Sequence, residues 1–120
     1  MKKINSIFVL SLILLGLMIA SSVNAQKIYK EQYESNADIK VYVEQYESNA
    51  DLNVYMEQYE SNASKDGLWY SETYESNADF RVYFEEYESN ADLKIHFVDY
   101  ESQAGWRNYS KQYLLQFKKH

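Results

Sequence analysis

One hexapeptide, Tyr-Glu-Ser-Asn-Ala-Asp, constrains this chain more than any other feature. It occurs unchanged from Tyr33, Tyr46, Tyr74 and Tyr87, and in altered form as Tyr-Glu-Ser-Asn-Ala-Ser from Tyr59 and Tyr-Glu-Ser-Gln-Ala-Gly from Tyr100. The opening tyrosines are spaced 13, 13, 15, 13 and 13 residues apart. Self-similarity at so fixed a period means a chain assembled from one repeated supersecondary unit, each needing its neighbours to bury its apolar side.

The residues after each hexapeptide say what the unit is. Apolar Ile39, Val41 and Val43 alternate with Lys40, Tyr42 and Glu44, and Phe80, Val82 and Phe84 with Arg81, Tyr83 and Glu85. Period two with β-branched and aromatic residues predicts a strand, whereas a helix would need apolar residues three and four apart. The Ser, Asn and Asp of the hexapeptide favour turns because their side chains bond nearby backbone.

The expectation is a strand of about seven to nine residues per unit, a turn at Glu-Ser-Asn-Ala, and a further strand over Lys27–Gln32. Alternation puts Ala37, Ile39, Val41 and Val43 on a core face, with Ala50, Leu52, Val54 and Met56, and Ala91, Leu93, Ile95 and Phe97, in equivalent places. The opposite face carries Asp38, Lys40, Tyr42, Glu44 and Tyr46 and their counterparts, a tyrosine ladder among charges. Ser35 or Asn36, together with Asp38, is expected to satisfy turn amides, and Glu34 and Glu44 to keep the surface soluble.

The third and sixth units depart from the pattern together. "SKDGLWYSET" and "GWRNYSKQ" hold Gly67, Trp69, Gly105 and Trp106, and beyond residue 25 there is no other Gly or Trp. Units starting at 33, 46 and 59 therefore map onto 74, 87 and 100 with a constant offset of 41, which makes two tandem halves, about 27–70 and 71–113. This predicts an all-β single compact domain of six or seven short strands, its two halves pseudo-twofold related and each covering the other's core.

The hexapeptide, its hydrophobic strands and the closing "VDYESQAGWRN" over Val98–Asn108 resemble a family of short bacterial proteins known as a domain of unknown function. Its members repeat Tyr-x-Ser-Gln-Ala-Asp and end in Ser-Gln-Ala-Gly-Trp, so the resemblance covers nearly all of residues 26–120. It is similar as well to a small protein forming a deep torus knot, in which the halves wind around each other. That likeness implies strand pairing that alternates between halves, and it brings no activity and no functional residue with it.

The first residues bear on location. Lys2 and Lys3, an apolar run from about Ile7 to Ala20, and Val23 and Ala25 before Gln26 have the parts of a cleaved signal peptide over residues 1–25. Without Cys there is no lipid attachment at the cut and no disulfide. The expected location is secreted or periplasmic, with no stable membrane span after cleavage, the run being shorter than the ~20 residues a span needs.

Residues 26–120 keep 10 basic against 18 acidic groups, which argues against nucleic acid as a partner. A protein or glycan partner fits better, the chain itself being a monomer or homodimer.

Candidate chemistry is thin. His96 stands where other units have Tyr, and a general base needs a placed partner; six equal copies supply no single asymmetric constellation. No catalytic residue and no cofactor is expected. Glu34 and Asp38 and their counterparts offer oxygen ligands for Ca²⁺, yet repetitive Ca²⁺ coils use Gly-rich turns, so no metal site is expected either. The candidate ligand face is Tyr42, Tyr55, Trp69, Tyr83, His96 and Trp106. Asn62-Ala63-Ser64 and Asn108-Tyr109-Ser110 match a glycosylation pattern, discounted because the resemblance is bacterial.

The function expected is that of an exported structural or binding module. Its alternatives are a sugar or protein binder using the tyrosine face, or a calcium-dependent module.

Overall fold

The computed structural model describes residues 26–116; the expected leader over residues 1–25 lies outside them, as do residues 117–120. Seven strands follow one another: β1 (Lys27–Lys30), β2 (Ile39–Val43), β3 (Leu52–Met56), β4 (Leu68–Ser71), β5 (Phe80–Phe84), β6 (Leu93–Phe97) and β7 (Gly105–Trp106). Between them lie single turns of 3-10 helix, η1 (Glu34–Asn36), η2 (Glu47–Asn49), η3 (Glu60–Asn62), η4 (Glu75–Asn77), η5 (Glu88–Asn90) and η6 (Glu101–Gln103). A longer 3-10 segment, η7 (Tyr109–Leu115), ends the described chain.

The strands run β4-β1-β5-β2-β6-β3, and β4 also pairs with β3, so the sheet closes into a six-stranded barrel. All six pairings around the ring are parallel; short β7 adds antiparallel to the start of β3. Strands β1, β2 and β3 alternate around the ring with β4, β5 and β6, which stand 41 residues on at the boundary of the halves and beyond, as the resemblance implied. Each of the first three is hydrogen-bonded to its own counterpart: β1 to β4, β2 to β5 and β3 to β6.

Parallel neighbours require the chain to return after every strand. Here the return is short because the strands are short and only one strand is crossed. Residues 31–38 leave β1, pass outside β5 and enter β2, with η1 lying against β5; likewise η2 lies on β6, η3 on β4, η5 on β2 and η6 on β3. Thus connectors of one half mostly cover strands of the other, giving the buried outer face that a parallel sheet needs.

The expected strands of seven to nine residues are corrected to four or five in the barrel. The rest of each unit is spent on the 3-10 turn and the way back. The turn is closed by backbone bonds, Asn36 N–H to Tyr33 O at 3.1 Å and Ala37 N–H to Glu34 O at 3.1 Å, repeated in the other units. The tyrosines at the N-caps of η1 to η5 make no side-chain cap bond.

Inside the barrel Ile28, Ile39, Val41, Leu52, Val54, Trp69, Phe80, Val82, Leu93 and Ile95 are buried. A barrel this narrow is filled by its own side chains. Leu115 of η7 joins the same cluster, and Lys111 Nζ reaches the carbonyl of Asp92 at 3.1 Å, so η7 covers the end where strands begin.

Among the described residues the opposite end is open. Val43, Met56 and Phe97, expected in the core, are 37–40% exposed, because the inward position at each strand's end forms the rim and no described segment covers it. Phe84 shares that rim and is half-buried, with Lys30 Nζ 5.8 Å from its ring centroid.

Candidate functional site

The Asp, Glu and Tyr of the hexapeptide take distinct places once the barrel is assembled. Its final Asp ties neighbouring strands together. Asp38 N–H donates to the Arg81 carbonyl at 2.7 Å, and Asp38 Oδ2 accepts from Arg81 N–H at 2.8 Å. The same two-bond ring joins Asp51 to Lys94, Asp79 to Lys27 and Asp92 to Lys40. Arg81 then bridges Asp38 at 3.1 Å and Glu75 at 3.3 Å.

The Glu that follows a strand faces the Glu of the connector lying over that strand. The pairs are Glu31 with Glu75, Glu44 with Glu88, Glu57 with Glu101 and Glu85 with Glu34. Burial is the first cause that raises Glu31 and Glu44, with the facing carboxyl adding to it. The facing carboxyl is the first cause for Glu57 and Glu85, with burial adding to it. Glu44, expected to be a solubilising surface residue, is 7% exposed; the correction arises because η5 lies across its strand end.

Two positions depart from the paired scheme. Val98 stands where a sixth strand-end Glu would be, and Glu47 turns to Arg107 at 3.0 Å. Glu60 is held by Lys27 at 3.1 Å, which raises the Lys27 amine.

The tyrosines fall into two sets. Those opening the hexapeptide, Tyr33, Tyr46, Tyr59, Tyr74, Tyr87 and Tyr100, stand out from the connectors at 61–67% exposure. Tyr42, Tyr55 and Tyr83 on the outer faces of their strands are half-buried. The single ladder expected from alternation is therefore split, because the chain turns into a 3-10 helix between the two positions.

Of the other residues named for a ligand face, His96 is half-buried, with Nδ1 3.0 Å from the Glu44 backbone carbonyl. A carbonyl only accepts, so Nδ1 carries the hydrogen there. Trp69 points into the barrel and is 1% exposed. Trp106 is half-buried at the strand-start end, packed against the core. The structure thus distributes Tyr42, Tyr55, Tyr83 and His96 over the outer face, Trp69 to the inside and Trp106 to the end.

The two tryptophans nevertheless meet through one residue. Trp69 Nε1–H donates to the Asp66 carbonyl at 2.7 Å and Trp106 Nε1–H to Asp66 Oδ2 at 2.7 Å. Beside them Gly67 packs so tightly that an added Cβ would lie 2.7 Å from both the Asn53 carbonyl oxygen and the Gly105 nitrogen. The shared Gly and Trp of the third and sixth units are a junction that seals the barrel where β4 joins β3. Asp66 carries no repeat signal and was not legible as its centre.

At this junction the surface is concave. A groove of about 390 Å³ is lined by Ser61, Asn62, Ser64, Lys65, Leu68, Glu101 and Ser102. It forms because η3 ends differently from its relatives: Ala63 has ψ 70°, against 144–151° for Ala37, Ala50, Ala78, Ala91 and Ala104. The chain swings out through Ser64 and Lys65 before β4, using the two residues added to this unit. Sequence reasoning singled out "SKDGLWYSET" as irregular, and missed that Glu101 and Ser102 of the sixth unit complete the groove.

Among the described residues no three His, Cys, Asp or Glu side chains gather as a metal cluster, and no helix is long and apolar enough to cross a membrane. A family model described as "7(1) septoil knot domain" matches residues 25–107. No curated protein and no solved structure gives a match.

Proposed function

We propose that this chain, which belongs to the septoil knot domain family, is a stable structural and binding module that works outside the cytoplasm and is not an enzyme. The observation that carries the reading is that the repeat's aspartates are spent within the fold. Asp38, Asp51, Asp79 and Asp92 hold neighbouring strands, Glu31, Glu44 and Glu57 are buried and Glu85 half-buried, and His96 bonds a backbone carbonyl. Groups engaged in holding strands are poor candidates for moving protons in a reaction, which requires a free and placed acid or base. Export is supported by the leader-like residues 1–25.

A second reading, recognition of a glycan or protein, is favoured by the six exposed tyrosines of the connectors. Each presents an aromatic plate, at more than 60% exposure, around the outside of a closed barrel, and Tyr is enriched where proteins meet partners. The acidic balance argues against nucleic acid on electrostatic grounds.

Cell fractionation with sequencing of the product's N-terminus tests the first reading, the expected result being an exported chain starting at Gln26. A cytoplasmic product that retains Met1 overturns it. Titration with glycans and envelope extracts, followed by tyrosine fluorescence, tests the second; a signal unchanged by every one of them removes it.

A further inference from the structure

The open end of the barrel is not uniform around its ring. The position that ends each strand, three residues before the hexapeptide Tyr, holds Lys30, Val43, Met56, Ser71, Phe84 and Phe97 in chain order. In the ring β5, β2, β6 and β3 stand side by side, so Phe84, Val43, Phe97 and Met56 form one apolar arc. Each of these strand ends runs two residues past the one before it, Phe84 lying level with Val41, Val43 with Ile95 and Phe97 with Val54. Lys30 lies over the Phe84 ring at 5.8 Å and bounds the arc on that side, which leaves Val43, Phe97 and Met56 as its exposed part.

A second departure from the repeat coincides with the arc. The residue just before the hexapeptide Tyr is Gln32, Gln45, Gln58 or Thr73 in four units, and Glu86 or Asp99 in the two whose strands end in Phe. Both acids are exposed, and among the described residues neither makes an ion pair. They follow β5 and β6, the strands on either side of β2, so two unpaired negative charges flank the apolar arc. Such a surface is complementary to an apolar side chain carried next to cations. The chain has such a segment directly after η7, Phe117-Lys118-Lys119-His120.

We infer that the arc docks residues 117–120 of a second copy, with Phe117 seated among Val43, Phe97 and Met56 and the two lysines set against Glu86 and Asp99. The contact is between copies because Leu115 and Lys111 hold η7 on the strand-start end. Phe117 stands two residues beyond Leu115, about 7 Å of extended chain, whereas a five-residue strand alone spans about 16 Å. Joining the strand-start end of one copy to the rim of the next is a head-to-tail contact, which builds open chains of copies. Two arcs meeting face to face would bring four like charges together, an arrangement that costs free energy. The patch is small, which places the contact among weak, transient ones.

Sedimentation velocity of the protein as isolated from its producing cells, over a range of concentrations at low and high salt, tests this. The average sedimentation coefficient should rise with concentration, and rise less at high salt, where attraction between lysines and carboxylates is screened. Phe117→Ser should remove the rise, as should Phe97→Ser at the exposed rim. The double variants Lys118→Glu with Lys119→Glu, and Glu86→Lys with Asp99→Lys, should each be silent alone and associate when mixed, a rescue that a folding defect could not produce. A parent that sediments as a monomer at every concentration overturns the inference, as does a mixture of the two charge variants that stays silent. A rise lost in Phe97→Ser but kept in Phe117→Ser would show two arcs meeting each other, and overturns the segment as occupant.

Discussion

Gly67 is the least replaceable residue of the junction. A methyl group there would press on two backbone atoms, the Asn53 carbonyl oxygen and the Gly105 nitrogen, each at 2.7 Å, and neither can swing aside as a side-chain tip could. Gly67→Ala is expected to destabilise the fold by about 1–3 kcal/mol through overpacking, seen as a lower thermal midpoint. Gly105 is required for a different reason: its φ of +148° is one that L residues rarely adopt, although space for a side chain exists. Asp66→Ala removes the acceptor of the Trp106 indole and should cost about 1–3 kcal/mol, while Asp66→Asn, which keeps an oxygen acceptor, should lose less. The two glycines and two tryptophans stood out in the sequence as departures from a repeat; Asp66 did not, since nothing in local pattern says that residues 40 positions apart share one carboxylate.

At the scale of the unit, the strand and its connector are bound to the neighbouring chain segment by the terminal Asp. Asp92→Ala is expected to cost about 1.5–3 kcal/mol, as loss of a charge-assisted bond to Lys40 N–H, readable in urea denaturation. The carboxyl pairs set how stability depends on pH. Glu31, Glu44, Glu57 and Glu85 are all raised above the ordinary value of 4.5, so within that window the folded chain holds protons that the unfolded chain has released. Stability then falls as pH rises: the contribution is fully present below the unfolded carboxyl value and is lost as pH passes through the raised folded values. Urea midpoints measured from mildly acid to neutral pH should decline, and the decline should be shallower in Glu88→Gln, which removes one repulsive pair. The strands were readable from period-two alternation, whereas the burial of Glu44 was not, because it depends on a connector from the other half.

For the molecule as a whole, closure and interleaving decide the behaviour. A closed barrel leaves no free edge in the ring, which removes the edge-to-edge association that tyrosine-rich strands invite. Partners across five of the six parallel pairs lie 43 or 52 residues apart, as in Ile39 with Val82 and Val41 with Leu93, with β3 and β4 paired at 13, and such non-local pairing slows folding. Refolding from urea should lag far behind the ordinary range for small domains, with unfolding and refolding curves that separate and close only on long incubation; superimposed curves within minutes would count against interleaving as the source of stability. Leu115 closes the strand-start end, and Leu115→Ala should cost about 2–5 kcal/mol as a buried large-to-small change.

The repeat period, the alternation after each hexapeptide and the offset between halves were enough to establish an all-β domain of short strands and to mark the third and sixth units as special, because those signals are local and read along the chain. The tertiary structure decided what spacing cannot express: that strands run parallel, that connectors of one half lie over strands of the other, and that Val43, Met56 and Phe97 form an open rim instead of core. It also decided which carboxylates face one another. A side chain's period fixes only the side of the strand on which it lies, and what waits on that side is set by segments brought there from across the molecule.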